Sequence, residues 1–339
     1  MKEINNTENE IIISTSSKTE INSGVLEELK EQFSIIELIN KSNISKIYKA
    51  LNIEEDNTVL LKVIEKKNLL NDYAFFNEQI KREEEILRLC RSNNIINIYQ
   101  KIETKNLIVF ELEYCGKDLA TYIKEKGPLK YHKFIFKDIL IGISKAIEVL
   151  NKNGIMHRDI KPSNIFFDET LNKVKLGGFG CSIYIKENTS EPLGSILYTA
   201  PEIIKKLKYD EKCDLWSLGV TLYEIYFGEL PYGKIVSVNH IKDIIYHEQN
   251  IYSKKASIPE FNELFTKLLT VNRYNRMKFT EFFNLVNNIK EIFIQFIQYN
   301  KERIRSHNQR GNKNKMDMDE KIKKKEKYFN TFYLNFLYE

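Results

Sequence analysis

One segment constrains the fold of this chain more than any other. Residues 213–228 read C-D-L-W-S-L-G-V-T-L-Y-E-I-Y-F-G and are apolar on nearly every face of a helix. Because such a helix offers no face to water, other parts of the protein must surround it. The sequence therefore predicts a large helical body, and 339 residues of 42% hydrophobic content are enough to build one.

The residues before this body have a different pattern. Short runs rich in β-branched and apolar residues predict five strands, at 33–40, 46–53, 58–64, 95–102 and 106–112. Residues 75–91 have the helical period, with Ile80, Ile86, Leu87 and Cys90 on one face. Since the strands precede a mainly helical region, we expect an α+β protein with a small β lobe carrying one helix and a larger helical lobe.

Composition excludes several classes of protein. The four cysteines (Cys90, Cys115, Cys181 and Cys213) lie far apart, which argues against a disulfide framework or a zinc site and favours a reducing compartment. No basic start is followed by an apolar run, so we expect no signal peptide, and no run of about 18 apolar residues predicts a membrane span. We expect a cytoplasmic location, with the nucleus left open.

Four strings carry the chemistry of the chain. They are V-L-L-K ending at Lys62, H-R-D-I-K-P-S-N at 157–164, G-S-I-L-Y-T-A-P-E at 194–202 and D-L-W-S-L-G at 214–219. In this order they resemble the motifs of the eukaryotic protein kinases, and Lys161 two positions after Asp159 resembles the Ser/Thr type. The resemblance runs from about Phe33 to Phe293 and implies a two-lobed kinase fold whose small lobe is a five-stranded antiparallel sheet.

With this resemblance the chain divides into three parts. Residues 1–32 are polar and predict a flexible extension. Residues 33–295 form the kinase-like domain, with a small lobe at 33–112, a hinge at 113–118 and a large lobe at 119–295. Residues 296–339 form a basic tail with an aromatic end.

The resemblance also implies roles for single residues. Asp159 matches the catalytic base, Lys161 the lysine that steadies the transferred phosphoryl group, and Asn164 a ligand of the second magnesium. Lys62 matches the lysine that grips the nucleotide phosphates, and Glu83 is its expected partner, with Glu84 and Glu85 as neighbouring candidates. The remaining nucleotide-binding positions are Ile47, Leu60, Glu113, Cys115 and Phe166, and the structural or regulatory ones are Arg158, Ser195, Glu202, Asp214 and Arg276. Glu202 and Arg276 are expected to form a buried ion pair.

The chain departs from the family pattern where the nucleotide would bind. Gly178 replaces the aspartate of D-F-G, which holds the magnesium that bridges the phosphates. Asn40, Ser42 and Ser45 stand at the three positions of the glycine-rich loop, and the bulkier Leu60 and Phe166 stand at the roof and floor of the adenine slot. Asp168 and Glu169 are expected to point away from the missing ligand position. We therefore expect ATP to bind weakly, and magnesium binding is placed in doubt.

Two functions remain open from these residues. The first is a catalytically impaired or inactive kinase-like protein that acts in signalling as a regulatory or scaffolding module and binds a kinase or a substrate protein. The alternative is an active ATP-dependent Ser/Thr kinase with unusual metal handling. Arg158 next to Asp159 marks kinases whose activation loop is ordered by a phosphate, and Thr189 and Ser190 are candidate acceptors.

The C-terminal tail has its own pattern. Residues 301–339 contain eleven Lys or Arg against six Asp or Glu, which accounts for the net charge of +5. Apolar side chains follow at helical spacing, namely Phe329, Phe332, Tyr333, Phe336 and Leu337. We expect this segment to dock on the kinase body or on a partner, with peripheral membrane contact as the alternative. Nucleic-acid binding is not expected, and the oligomeric state is left open.

Overall fold

A computed structural model describes residues 27–42, 44–187, 194–235, 237–247, 251 and 254–308. The chain divides into two compact units. Of the described residues, those within 27–68 and 100–111 belong to the first unit, and those within 69–99 and 112–308 belong to the second.

Five strands form one sheet in the order β1-β2-β3-β5-β4. They are β1 (Phe33–Lys41), β2 (Ser45–Asn52), β3 (Asn57–Glu65), β4 (Ile98–Glu103) and β5 (Leu107–Glu113). Strands β2 and β3 pair antiparallel without interruption, from Ser45 opposite Ile64 to Asn52 opposite Asn57. The two-lobed α+β fold expected from the sequence, with its five-stranded antiparallel sheet, is confirmed.

The core of the first unit begins before the predicted domain boundary. Leu29, in the short 3-10 turn Glu27–Leu29, is buried with Phe33, Tyr48 and Val109. The sequence assigns residues up to 32 to a polar extension, but burial of Leu29 places the start of this folded unit earlier. A single leucine among charged residues has no periodicity that would reveal its burial.

The helix predicted near residue 80 is α1 (Tyr73–Leu89). Its first turn is capped by Asp72, whose carboxylate accepts a hydrogen bond from the backbone N–H of Phe75 at 3.2 Å. Ile80, Ile86 and Leu87 are buried, as their spacing predicts. The sequence places this helix in the small lobe, whereas its contacts place it in the second unit.

The second unit is mainly helical. Its described elements are β6 (Lys117–Asp118), α2 (Leu119–Lys126), α3 (Lys133–Lys152), β7 (Ile155–Met156), β8 (Ile165–Asp168), β9 (Lys173–Leu176), β10 (Ile183–Tyr184), α4 (Pro201–Ile204), α5 (Lys212–Phe227), α6 (Val238–His247), α7 (Pro259–Leu268) and α8 (Phe279–Asn308). Strands β6, β8 and β9 form one small sheet, and β7 pairs with β10.

Helix α5 lies at the centre of this unit. All of its residues except Lys212 and Glu224 are buried, which confirms the prediction from residues 213–228. The helix ends at Gly228, whose φ of 78° is a left-handed conformation that glycine adopts without strain. Aromatic rings of α3, α5 and α7 pack edge to face around it, with the centroids of Phe136 and Tyr226 4.9 Å apart.

Helix α8 crosses the predicted boundary at residue 295. It continues to Asn308, and Phe296 and Tyr299 are both buried. The helix thus continues without a break past the predicted boundary, and the predicted aromatic segment at 329–337 lies outside the described residues. No helix in the described part of the chain is long and apolar enough to cross a membrane.

Candidate functional site

The loop after β7 carries the H-R-D string and is fixed by the central helix. Asp214, near the start of α5, accepts the backbone N–H of His157 at 2.7 Å and that of Arg158 at 2.8 Å. Burial raises the pKa of Asp214 to about 6. Arg158 has a φ of 65°, a left-handed conformation that is costly for a non-glycine residue and is held here by these contacts.

His157 serves to position the loop. Its Nε2 donates to the carbonyl of Gly177 at 2.9 Å, because its Nδ1 accepts the backbone N–H of Asp159 at 3.3 Å. The ring is fully buried and meets the ring of Phe179 edge to face. Burial lowers the pKa of His157 from 6.5 to about 4, so the ring is neutral at physiological pH.

This burial predicts a pH-dependent contribution to stability. A histidine whose pKa is lower in the folded state stabilises the protein above pH 6.5, and this contribution is lost as the pH falls toward 4. The loss is on the order of 3 kcal/mol at full protonation. We expect the His157→Gln variant to show a smaller decrease in the free energy of unfolding between pH 7 and pH 4 than the wild type, measured by urea denaturation.

Asp214 changes stability in the opposite direction over this range, because its pKa is raised in the folded state. Since Asp214 is present in both proteins, the difference between their curves isolates the histidine. Parallel curves for wild type and variant would contradict the assignment.

Asp159 lies at the centre of a small polar cluster. Its Oδ2 is 2.9 Å from Lys161 Nζ and accepts Asn164 Nδ2 at 2.8 Å, while its Oδ1 accepts the backbone N–H of Ser195 at 3.2 Å. Lys161 Nζ also donates to Ser195 Oγ at 2.7 Å. The structure thus brings together, around one carboxylate, four of the residues that the family motif singles out.

Gly178 borders this cluster. Its φ of 80° and ψ of 44° are left-handed. A Cβ atom built on Gly178 would lie 2.4 Å from Cγ and 2.5 Å from Nδ2 of Asn164. The Asn164 amide itself donates to the carbonyl and the carboxylate of Asp159. The side chain of Asn164 therefore occupies the space in which any side chain at position 178 would begin.

The carboxylate of Asp168 is used in a turn. Asp168, at the end of β8, accepts the backbone N–H groups of Thr170 and Leu171 at 2.9 and 3.1 Å and so closes the β8–β9 turn. Within the described ranges no group of three or more His, Cys, Asp or Glu side chains is arranged to hold a metal ion.

The predicted hinge residue Glu113 is held by two lysines that the sequence did not single out. Its Oε1 is 2.7 Å from Lys173 Nζ, and its Oε2 is 2.7 Å from Lys175 Nζ. Burial opposes ionisation of Glu113, but the hydrogen bonds from both lysines lower its pKa. In the sequence K-V-K the two lysines alternate with a valine, which puts both on one face of β9. This alternation is the sequence pattern from which a shared partner could have been predicted.

Two further residues predicted to bind the nucleotide, Cys115 and Phe166, belong to the second unit. Burial raises the pKa of the Cys115 thiol to about 11, which leaves it protonated and unreactive. The ring of Phe166 lies 3.0 Å from the position that a Cβ of Gly177 would take. The large ring of Phe166 thus occupies space that a side chain at position 177 would need, and Gly177 leaves this space open. The prediction that Phe166 narrows the adenine slot did not take this space into account.

Lys62 and Ile47 face each other in register on β3 and β2 of the first unit, and Leu60 is buried beside them. In the second unit Glu83 is buried on α1. Its neighbour Glu84 pairs with Arg88 on the helix surface at 3.0 Å, and Glu85 is exposed. Of the three candidates, Glu83 is therefore the one whose burial requires a polar partner.

The turn between β1 and β2 is closed by side chains. The Ser42 N–H donates to the Ser45 carbonyl at 2.8 Å, and the Ser45 N–H donates to Ser42 Oγ at 3.0 Å. The two hydroxyl oxygens are 3.0 Å apart. Asn40 uses its own Oδ1 to accept the Lys41 N–H at 2.7 Å.

Two buried pairs support the segment that follows Ser195. Arg276 donates to both oxygens of Glu202, at 2.7 and 2.9 Å, and both side chains are almost fully buried. The Tyr198 hydroxyl donates to Glu224 at 2.6 Å, and burial raises the pKa of Glu224. The second pair was not anticipated from the sequence.

The side chain of Arg158 is also engaged. Its Nε donates to the carbonyl of Cys181 at 2.7 Å, and its Nη1 donates to the hydroxyl of Tyr209 at 3.0 Å. The candidate phosphate acceptors Thr189 and Ser190 lie outside the described residues.

Comparison with known proteins is consistent with this arrangement. Residues 33–286 match the family model of the protein kinase domain. The serine/threonine-protein kinase ULK1 of Homo sapiens is 31% identical over 273 residues, which are 75% of this chain and 25% of that protein. Serine/threonine-protein kinase unc-51 of Caenorhabditis elegans is 29% identical over 271 residues (75% of this chain, 31% of that protein).

CBL-interacting protein kinase 15 of Oryza sativa subsp. japonica is 32% identical over 214 residues, 60% of this chain and 48% of that protein. The matches thus span between a quarter and about half of the length of these relatives. Because the family model covers well over half of the sequence, the chain belongs to the protein kinase domain family.

Proposed function

We propose that this chain is a regulatory or scaffolding member of the protein kinase family that transfers phosphate slowly or not at all. The proposal rests on the way in which the Asn164 side chain packs against Gly178. Position 178 offers no side-chain oxygen, and the space for a side chain there is occupied by the Asn164 amide.

The missing carboxylate matters because phosphoryl transfer depends on neutralising charge. The family uses magnesium ions that bridge the phosphates, and magnesium prefers carboxylate oxygens in a near-octahedral shell. Here Asp168 closes a turn and Gly178 supplies no carboxylate. Asn164 donates its amide hydrogens to Asp159, which leaves its Oδ1 as a neutral ligand oxygen without a carboxylate from position 178 beside it. This donor set does not fit the magnesium arrangement that the family implies, and we assign no catalytic step to the metal.

Retention of Asp159 and Lys161 is compatible with a structural role. The Asp159 carboxylate accepts hydrogen bonds from the side chains of Lys161 and Asn164 and from the backbone of Ser195. These contacts tie the H-R-D loop to the segment that leads to Ser195. A binding module would keep such contacts because they hold its surface in one conformation.

An active Ser/Thr kinase with unusual metal handling is the second candidate. It is favoured by the placement of Asp159 beside Lys161 and Ser195, and by relatives that are named as serine/threonine kinases. The family in general binds ATP and magnesium. In this case Asp159 would accept the substrate hydroxyl proton and Lys161 would steady the transferred group.

A phosphorylation assay separates the two candidates. The purified full chain is incubated with ATP, a generic protein substrate and either magnesium or manganese, beside the Asp159→Ala variant. We expect the two proteins to be indistinguishable. General-base catalysis contributes about 10²–10⁴-fold, so a wild-type rate that falls by this factor in the variant would establish the enzyme.

The proposal also concerns partners and location. We propose that the chain acts in the cytoplasm, with the nucleus left open, and binds a protein partner such as a kinase or a kinase substrate. For the tail, co-sedimentation with anionic liposomes compares the full chain with a version ending at Asn308. Equal sedimentation of the two would remove the proposed membrane contact.

A further inference from the structure

A groove lies on the second unit, away from the H-R-D loop. It is lined by one face of α3, one face of α8 and the turn between β8 and β9, and it encloses about 530 Å³. This volume is within the roughly 300–1,000 Å³ of typical ligand-binding clefts. Its apolar lining includes Ile141 of α3 and Ile294 and Ile297 of α8, and Ile297 is 38% exposed.

The rim of the groove is strongly basic. Four lysines and one aspartate line it, and Asp138 is paired with Lys137 at 2.6 Å. Lys173 is paired with Glu113. In the part of the chain that the structure describes, Lys145 and Lys290 have no carboxylate within ion-pair distance, and both are exposed. Two ammonium groups are thus available to a ligand beside an apolar floor.

Each of the two helices presents its groove-lining residues at helical spacing. Lys137, Ile141 and Lys145 are four residues apart and share one face of α3. Lys290, Ile294 and Ile297 share one face of α8. The α8 wall lies beyond Val286, where the match to the family model ends. The groove thus combines α3 and the β8–β9 turn, which lie inside that match, with residues of α8 that lie outside it.

We propose that this groove docks an acidic peptide segment of a partner protein that carries apolar anchor residues. The apolar lining favours apolar anchors, and Lys145 and Lys290 favour negative charge beside them. The chain's own tail is a poor complement, because residues 301–339 carry a surplus of positive charge. The proposal does not depend on whether the chain transfers phosphate.

The test uses the full chain as bait for short random peptides displayed on phage. We expect the enriched peptides to have a net negative charge and at least two large apolar residues. One enriched peptide is then labelled, and its affinity is measured by fluorescence anisotropy for the wild type, the Lys145→Glu/Lys290→Glu variant and the Ile297→Asn variant. We expect at least about a tenfold loss for the charge-reversed variant, equivalent to 1.4 kcal/mol.

A matched control has the same net charge change elsewhere. Lys242 and Lys255 are exposed lysines of the same unit that do not line the groove. The Lys242→Glu/Lys255→Glu variant should bind the peptide within about twofold of the wild type. Thermal melts of every variant establish that the proteins are folded, which is expected because all four lysines are on the surface.

Several outcomes would overturn the proposal. These are the absence of enrichment, the enrichment of basic peptides, or equal affinity for the wild type and the groove variant. Competition by polyglutamate or by single-stranded RNA as strong as that by the unlabelled peptide would show a general anion surface instead. An unchanged affinity for Ile297→Asn would show that the apolar floor takes no part.

Discussion

The Gly178→Asp variant is expected to gain a magnesium-dependent thermal response to ATP that the wild type lacks. The new carboxylate would restore a ligand type that magnesium prefers. A ligand at 100 times its Kd stabilises a protein by about 2.7 kcal/mol, and each kcal/mol raises Tm by roughly 2–4 °C in a domain of about 150–250 residues and by somewhat less in a longer one. Thermal-shift titrations with ATP, with and without magnesium, should therefore show a rise of several degrees in the variant.

The substitution carries a cost without ligand. Residue 178 is left-handed, and Asn164 must move to admit a Cβ atom. We expect a loss of about 1–3 kcal/mol in the ligand-free protein. The Gly178→Asn variant is the matched control, because it has the same shape and the same backbone strain but no negative charge. It should share the cost and show no response to the metal.

Two results would count against the role given to Gly178. A wild type that responds to ATP and magnesium as strongly as the variant would show that the missing aspartate does not limit binding. If the Gly178→Asp variant shows no thermal response to ATP and magnesium, the obstacle to nucleotide binding lies in the β1–β2 turn or at Leu60 or Phe166.

The Glu202→Gln variant is expected to lose about 3–5 kcal/mol of unfolding free energy, because it leaves the guanidinium of Arg276 buried without its counter-charge. Arg276 has no exposed surface and Glu202 has 3%. Urea denaturation at neutral pH measures the loss. It should also appear as the largest decrease in Tm among the single substitutions described.

A double variant shows whether the charge or the cavity is responsible. In Glu202→Leu with Arg276→Met both charges are absent and most of the volume is kept, so part of the lost stability should return. Recovery should be incomplete, because the carbonyl groups of Thr270 and Lys212 lose the guanidinium as a hydrogen-bond donor. The exposed pair of Lys267 and Glu263 is the reference, and Glu263→Gln should cost less than about 1 kcal/mol. A Glu202→Gln protein as stable as this reference would contradict the assignment.

The central helix and its anchor were predictable from the sequence. Residues 213–228 are apolar on nearly every face, and a helix of this kind is stable only when it is buried. The kinase-like motif places Asp214 at the start of this helix. The pairing of Glu202 with Arg276 followed from the same motifs, since their order along the chain is shared with the family.

Contacts between distant segments were not predictable. The alternation in β9 puts Lys173 and Lys175 on one face, but only the fold brings Glu113 to them from about sixty residues earlier. The sequence shows that position 178 lacks a carboxylate. Only the three-dimensional structure shows that the Asn164 amide lies in the space of the missing side chain. The extent of α8 was not evident, because the charge pattern changes near residue 301 while the apolar period of the helix continues through Tyr299.

The turn between β1 and β2 has a consequence for anions that approach the first unit. The backbone N–H groups of Ser42 and Ser45 already have acceptors within the turn. A phosphate would have to displace these acceptors, each worth about 0.5–1.5 kcal/mol, before it could use either donor. In a glycine-rich turn such N–H donors are free to bind the phosphates of a ligand. In this turn they are already bound by the Ser45 carbonyl and the Ser42 hydroxyl, so the turn should gain little from binding a phosphate.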